Sequence, residues 1–319
     1  MDENILQTVF REVRSAQRFL IASHIRPDGD AVGSLIGLGL SLLNIGKDVQ
    51  MVLSDGVPAI FRHLKGSELV KKKSTGDFDM TLVVDCSDLN RAGNAINNNL
   101  IPDLNLDHHP TNTNFAKYNL VDETAVATSE MLTEILPRFG FPFSKDVADA
   151  LLFGMITDTL GFRTYNMTPK ALRLAAELME VGGNLPHLYQ LGLLNRTFTA
   201  ARYWGAGLSK IQQEGRMAWA TLTLDDRHAV GYPGRDDADL ISFLSTIDDV
   251  DVVIMFVEQR KEQVKVSWRS KPGIDVTQVA QQFGGGGHAA AAGAMIEGNL
   301  KEIQENVIAM TQTTLGLKV

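Results

Sequence analysis

A single cysteine, Cys86, stands among the 319 residues, which excludes an intramolecular disulfide framework and a thiolate cage for structural zinc. The lone thiol reads as small core filler and fits a reducing compartment. Aromatic residues are sparse at 7%, yet 44% hydrophobic and 21% charged residues exclude a disordered or collagen-like chain. Positive charge is in deficit: 30 Lys plus Arg face 38 Asp plus Glu, a formal charge of -8. A whole-surface electrostatic grip on nucleic acid is therefore not expected, and any phosphate binding must be local. A bilayer-spanning run is not found either, because the apolar stretch from Ala31 to Gly46 is interrupted by glycine and serine and falls short of the ~20 residues a span requires. The acidic start Met1-Asp2-Glu3-Asn4 gives no reason to expect a secretory or transit peptide, so a cytoplasmic protein is expected.

What is present is a succession of short apolar runs and amphipathic segments. Ile5, Val9, Val13 and Ala16 recur at helical spacing, and Phe19 to Ala22 has the length of a strand ending at His24. A helix from Ala31 to Ile45, closed by Gly46, then leads to a second strand at Val49 to Leu53, which makes a βαβ unit. The runs Met80 to Val84 and Leu104 to Leu106 end in Asp85 and Asp107, and helices are predicted at about 125–139, 145–159 and from Thr168-Pro169 to about Met179. Buried strands alternating with helices predict an α/β fold with a doubly wound, mainly parallel sheet, whose ligands sit beyond the carboxyl ends of the strands. Residues 184–203 read as a helical connector, and a smaller α/β unit with a mixed sheet follows. In it Val264, Val266 and Trp268 alternate with Lys265, Ser267 and Arg269. The expected domains are 1–190 and 191–319, with the active site in the cleft between them. Trp268, Tyr203 and Phe283 are read as core rather than as base-stacking rings.

The chemistry-bearing residues gather at predicted strand ends. His24, Asp28 and Asp30 lie on one loop held by Pro27 and Gly29, and Asp85 and Asp107-His108-His109 close two further strands. Asp158 sits near the end of a largely apolar helix, where an unpaired carboxylate is costly to bury. Mixed imidazole and carboxylate donors without thiolates suit Mn²⁺, Mg²⁺ or a similar hydrolytic ion. A plainer account has Asp30 as a helix N-cap, Asp28 solvated and His24 satisfied in the core. The run Gly284 to Gly287 before His288 is no Walker motif, because no Lys-Ser or Lys-Thr follows. It can turn N–H groups toward an anion beside Arg269, or it can be a flexible turn. The glycines Gly33, Gly37 and Gly39 serve close helix packing.

In order and spacing, His24-x-x-x-Asp28-x-Asp30, Asp85, Asp107-His108-His109 and Asp158 resemble the four motifs of the DHH phosphoesterase family. Arg269-Ser270 and Gly284 to Gly293 resemble the associated C-terminal domain, so the likeness covers nearly the whole chain. The resemblance implies two Mn²⁺ ions, replaceable by Mg²⁺ or Co²⁺, one held by His24, Asp28 and Asp85 and the other by Asp30, Asp85, His108 and Asp158. It places Asp85 as a bridge, Asp107 behind a histidine that it orients, and His109 against the substrate phosphate, these last three being the expected catalytic residues. Arg91 or Arg163 balances phosphoryl charge, or is a surface residue with its stem packed down. Arg269, Ser270, Gly285, Gly286, Gly287 and His288 would bind substrate.

Two divalent ions about 3.5 to 4 Å apart acidify a shared water and clamp both sides of an in-line phosphoryl displacement. The two-domain length is most similar to the bacterial branch that degrades RNA oligonucleotides of a few residues and converts 3′-phosphoadenosine 5′-phosphate (pAp) to AMP. Short RNA and pAp are thus the expected partners, with a homodimer as a family-level expectation and no membrane. The alternatives are a phosphodiesterase for cyclic or linear dinucleotides (cyclic di-AMP, pApA) and a non-catalytic nucleotide-binding regulatory module.

Overall fold

The computed structural model describes residues 3–96 and 100–317, and the chain divides into two compact units, Met1–Asn195 and Arg196–Val319. The first unit runs α1 (Glu3–Ser15), β1 (Arg18–Ala22), α2 (Gly29–Asn44), β2 (Asp48–Val52), β3 (Met80–Val84), β4 (Leu104–Asp107), β5 (Tyr118–Val121), α3 (Thr128–Arg138), α4 (Lys145–Asp158), α5 (Pro169–Glu180) and α6 (Leu185–Tyr189). All five strands are parallel, in the order β2-β1-β3-β4-β5. The chain leaves β1 toward one edge and returns to its other side at β3, so the sheet opens a crevice beyond the carboxyl ends of β1 and β3. His24 and Asp85 lie there.

The two faces of this sheet are covered differently. Phe19, Ile21, Leu82, Val84, Leu104 and Leu106 point into the large core shared with the helices. Leu20, Ala22, Val52 and Val83 face a smaller cluster closed by Cys86, Ala92, Ala95 and Ile96 from the segment after β3. Cys86 is fully buried there, its Sγ donates to the Asp88 carbonyl at 3.1 Å, and burial pushes its thiol up to about 12. The lone cysteine is packing material.

Helix α2 presents glycines where α4 crosses it, and at Gly33 backbone meets backbone. Gly29, Gly33 and Gly37 lie one above another on one face of α2. A Cβ on Gly33 would stand 2.5 Å from the Ala150 carbonyl oxygen and 2.9 Å from the Gly154 nitrogen. One on Gly37 would meet Leu151, and Gly39 packs on Met51.

Three features depart from the sequence reading. The N-cap of α2 is Asp28, which accepts from the Ala31 amide, while Asp30 is buried inside the first turn. Strand β5 was not expected, because only Leu120 of its four residues is buried and an edge strand of this kind carries no alternating pattern. Helix α3 starts at Thr128 rather than near 125, which leaves a buried turn before it.

The second unit contains α7 (Phe198–Leu208), β6 (Gln212–Glu214), β7 (Met217–Leu222), α8 (Leu224–Val230), α9 (Leu240–Leu244), β8 (Val252–Arg260), β9 (Gln263–Ser270), α10 (Thr277–Gln282), β10 (Gly286–His288), β11 (Ala291–Glu297) and α11 (Leu300–Leu315). Its mixed sheet has the order β10-β11-β9-β8-β7-β6, with only β7 and β8 parallel. Val264, Val266 and Trp268 face the core built with α10 and α11, and Trp268 Nε1 donates to Thr311 Oγ1 at 3.1 Å. Tyr203 is equally buried, stacked on Tyr232. These rings are core, as their spacing predicts. Among the described residues, no helix is long and apolar enough to cross a membrane.

Candidate metal centre

Each turn of chain at the β1/β3 crevice is built to aim one polar group inward. After β1, Asp28 caps α2 with one oxygen, and its other oxygen lies 3.7 Å from His24 Nε2. At the end of β3, Asp85 adopts a left-handed backbone with φ +52, a conformation that aspartate tolerates better than most residues, while its amide still bonds the Leu106 carbonyl of β4. That kink turns a fully buried carboxylate across the strand ends. After β4 come His108 and His109, and α4 ends on Asp158.

The two oxygens of Asp85 face different imidazoles. Oδ2 lies 3.6 Å from His24 Nε2, and Oδ1 lies 3.8 Å from His108 Nε2, 3.8 Å from His109 Nδ1 and 3.0 Å from the Thr128 hydroxyl that donates to it. His108 Nε2 is also 3.5 Å from Asp158 Oδ2. The ligating atoms fall into overlapping groups: His24, Asp28 and Asp85; Asp30, His108 and Asp158; and Asp85, His108 and His109. The structure therefore brings His24, Asp28, Asp30, Asp85, His108, His109 and Asp158 together at one place.

The separations themselves test whether cations fit. At 3.5 to 3.8 Å the Nε2···O pairs are longer than hydrogen bonds. Two ligand atoms each ~2.1 Å from one ion stand roughly 3.0 to 3.8 Å apart as the angle between them opens from about 90° to about 130°. The orientation of the rings agrees: His24 Nδ1 is 2.8 Å from the Ile25 carbonyl and His108 Nδ1 is 3.3 Å from the Ala125 carbonyl. Such carbonyls hold the hydrogen on Nδ1 and leave Nε2 as the ligating atom. The donor set fits two divalent cations of the Mn²⁺ or Mg²⁺ kind.

The electrostatics point the same way. Burial first, and then the charge of Asp85, raises the Asp30 carboxyl to about 7. Burial and the charges of Asp30 and Asp85 push Asp158 well above the carboxylate range. Asp30 is nonetheless tied down, accepting from the Thr128 amide at 2.6 Å, the Ser129 amide at 3.1 Å and the Ser34 hydroxyl at 3.2 Å. It thus receives the first amides of α3, where helix polarity favours an anion. Asp107 accepts from Asn112 at 2.6 Å and lies 2.7 Å from His109 Nδ1. Burial opposes its charge, but His109 and Asn112 outweigh it and keep the carboxyl below its ordinary value.

Proton and cation compete for His24 Nε2. Burial lowers the basicity of the ring, but Asp28 and Asp85 outweigh it and hold His24 at about 10, so a cation taken up near neutrality must expel that proton. Affinity for Mn²⁺ is expected to rise from pH 6 to pH 9, by up to about tenfold per unit for one displaced proton. Calorimetric titrations in buffers of different ionisation enthalpy count the protons released. An affinity flat across that range would contradict the ligand assignment.

The expected substrate-binding residues are more dispersed. Arg91 is exposed in the turn that braces His24, its carbonyl accepting the Ile25 amide at 2.6 Å, and its Nη1 is 3.3 Å from Ser87 Oγ. Arg163 is exposed just beyond α4. In the second unit, the glycine run is no flexible turn: Gly286 to His288 form β10, paired with β11 in the register Gly286↔Gly293, Gly287↔Ala292, His288↔Ala291. A Cβ on Gly285 would lie 2.2 Å from the Gly293 carbonyl oxygen, and Gly287 has φ +147 with the Ala291 oxygen at 2.4 Å, so close backbone approach requires both glycines. Arg269 on β9 pairs with Ala291 of β11, and Ser270 Oγ donates to the Ile274 carbonyl at 2.7 Å. Of His288 only the backbone lies within the described structure.

Sequence reading missed Thr128, Ser129, Ser34, Asn112 and Asn105, which fix the ligands and their neighbours. They are common polar residues, and only the structure shows what their hydroxyls, amides and backbone N–H groups reach.

Comparison with known proteins follows the same division. Residues 18–155 match the model of the DHH family, N-terminal domain, and residues 231–313 match the DHHA1 domain. The bifunctional oligoribonuclease and PAP phosphatase NrnA of Thermus thermophilus is 33% identical over 294 residues, covering 90% of this chain and 87% of that protein. The protein of the same name from Mycoplasma genitalium is 26% identical, covering 96% and 97%. The fold superposes on an exopolyphosphatase-related protein from Bacteroides fragilis with a TM-score of 0.88 at 21% identity, covering 99% of this chain and 96% of that one.

Proposed function

The chain belongs to the DHH family, and from that premise we propose that it is a phosphoesterase which removes mononucleotides from short oligoribonucleotides and dephosphorylates pAp to AMP with Mn²⁺ as the physiological ion. The hydrolysis of phosphoester bonds comes with the family. The substrates come from the two relatives named above, and the ion from the donor chemistry. The observation that carries the mechanism is Asp85, one carboxylate whose Oδ2 faces His24 while its Oδ1 faces His108 and His109.

In this reading His24, Asp28 and Asp85 would hold one cation, and Asp30, Asp85, His108 and Asp158 would hold the other. When bound, the pair supplies Lewis-acid charge for the phosphoryl oxygens and lowers the pKa of an attacking water toward neutrality. The remaining work belongs to the protein. Thr128 and the left-handed turn fix the Asp85 carboxylate between His24 on one side and His108 and His109 on the other. Asp107 orients His109 through Nδ1 and favours its protonated form, which outweighs the opposing effect of burial. His109 Nε2 is the atom assigned to the phosphoryl group, where it donates a hydrogen bond or a proton to the departing oxygen. In the second unit, Arg269 and the strand Gly286–His288 are assigned to phosphate binding.

The test is hydrolysis of a labelled RNA dinucleotide and of pAp in the presence of Mn²⁺. Both are expected to yield mononucleotide, with RNA of about twenty-four nucleotides a poorer substrate. A folded, Mn²⁺-loaded protein inert toward both would end this assignment. Turnover confined to pApA or cyclic di-AMP would replace it with the dinucleotide phosphodiesterase. Tight nucleotide binding without turnover would replace it with a regulatory module.

A further inference from the structure

His108 is oriented by a backbone carbonyl rather than by a carboxylate, and that carbonyl belongs to a peptide unit gripped from both sides. The oxygen of the Ala125–Val126 peptide lies 3.3 Å from His108 Nδ1, and its N–H donates to Glu130 Oε2 at 2.7 Å. Ala125, Val126, Ala127 and Glu130 are all buried, Glu130 with no exposure at all, so water does not serve these groups. A buried carboxylate is tolerated only when paired. The pairing comes from α5, where Lys170 Nζ lies 3.1 Å from Glu130 Oε1 at ion-pair distance and 3.0 Å from Glu134 Oε2.

We propose that Glu130 is a positioning residue for the second cation: through the Ala125–Val126 peptide it fixes and polarises the carbonyl that holds His108 Nδ1, with Lys170 setting the charge of the pair. A carboxylate accepting the N–H of a peptide strengthens the acceptor at its carbonyl end, because hydrogen bonds in a chain polarise one another. The arrangement serves the purpose of a carboxylate bonded directly to a ligating histidine, with one peptide plane inserted. Ala125 also donates its own amide to the Asp122 carbonyl, which anchors the near side of the plane. The proposal rests on the reading that His108 is a ligand.

The experiment is a Mn²⁺ titration of the full chain, followed by electron paramagnetic resonance of the unbound ion, with ¹⁵N NMR of the His108 ring in ion-free protein. The parent is expected to take up two ions and to hold the His108 hydrogen on Nδ1. Glu130→Gln keeps an acceptor without its charge and is expected to weaken one of the two sites about 3- to 10-fold. Glu130→Ala removes both and should weaken it about 10- to 100-fold, with a mixed His108 tautomer and the other site unchanged. Should the alanine variant not fold, Lys170→Met, at a partly exposed position, is expected to weaken that same site about threefold. Unchanged affinity at both sites in Glu130→Gln and Lys170→Met overturns the proposal. So does an equal loss at both sites accompanied by a lower melting temperature, which is the signature of packing alone. A parent protein that binds no pair of divalent ions overturns the metal reading itself, and is told apart because no variant is needed to see it.

Discussion

Asparagine at position 85 is expected to lower kcat/KM for the dinucleotide and pAp by about a thousandfold or more, about 4 kcal/mol of transition-state stabilisation. Asparagine is the informative substitute because it tolerates the left-handed backbone at φ +52 and keeps an oxygen to accept from Thr128. What it removes is the charge that faces His24, His108 and His109. Neutralising it relieves the repulsion that helps raise Asp30 and Asp158, and it also takes away an attraction that holds the His24 ring protonated. These effects oppose one another in the ion-free protein, so the discriminating readout is the stabilisation that Mn²⁺ confers on the parent, which should be lost in the variant. Activity above a tenth of the parent's in Asp85→Asn would falsify the bridging role.

Gly33→Leu is expected to unfold or severely weaken the first unit. Its Cβ would stand 2.5 Å from the Ala150 carbonyl oxygen and 2.9 Å from the Gly154 nitrogen, and both are backbone atoms that cannot rotate aside. Overpacking of this kind costs about 3 kcal/mol or more. For a unit of this size that corresponds to a fall of roughly 10 °C in melting temperature. A Cβ on Gly154 would in turn meet Asp30 Oδ1 at 2.6 Å, so separating α2 from α4 also displaces a carboxylate of the metal centre. Differential scanning calorimetry with and without Mn²⁺ reads both effects. A melting temperature within 2 °C of the parent's would mean that the helices are not locked as described.

The sequence made the site legible because each of its motifs lies at a strand or helix end, and a parallel sheet sends such ends to one side. Apolar runs at 19–22, 80–84 and 104–106 were enough to place His24, Asp85 and Asp107 together before any coordinates. Strand β5 escaped because an exposed edge strand with one buried side chain has no period to detect. The cap of α2, which the plainer account gave to Asp30, went to Asp28 for another reason. Two aspartates two residues apart are equally good caps, and the decision was made by α3, whose Thr128 and Ser129 amides claim Asp30 from 98 and 99 residues away. The glycine run before His288 was open between an anion cradle and a flexible turn and did not suggest a strand, because glycine has no side chain to betray a pairing, and the carbonyls of Ala291 and Gly293 that pack against it come later in the chain.

The same long reach bears on how the molecule is made. Helix α2 is buried on nearly every side, and the face formed by Gly29, Gly33 and Gly37 meets its counterpart only when residues 150–157 arrive. While the chain is being synthesised, α2 leaves the ribosome more than a hundred residues ahead of α4. Its greasy surface must wait, shielded by chaperones or by temporary contacts. Of the groups that could hold an ion, His24, Asp28 and Asp85 are all made by residue 85, whereas Asp30, His108 and Asp158 are complete only once α4 ends. Full occupancy of the cluster would therefore follow the making of α4.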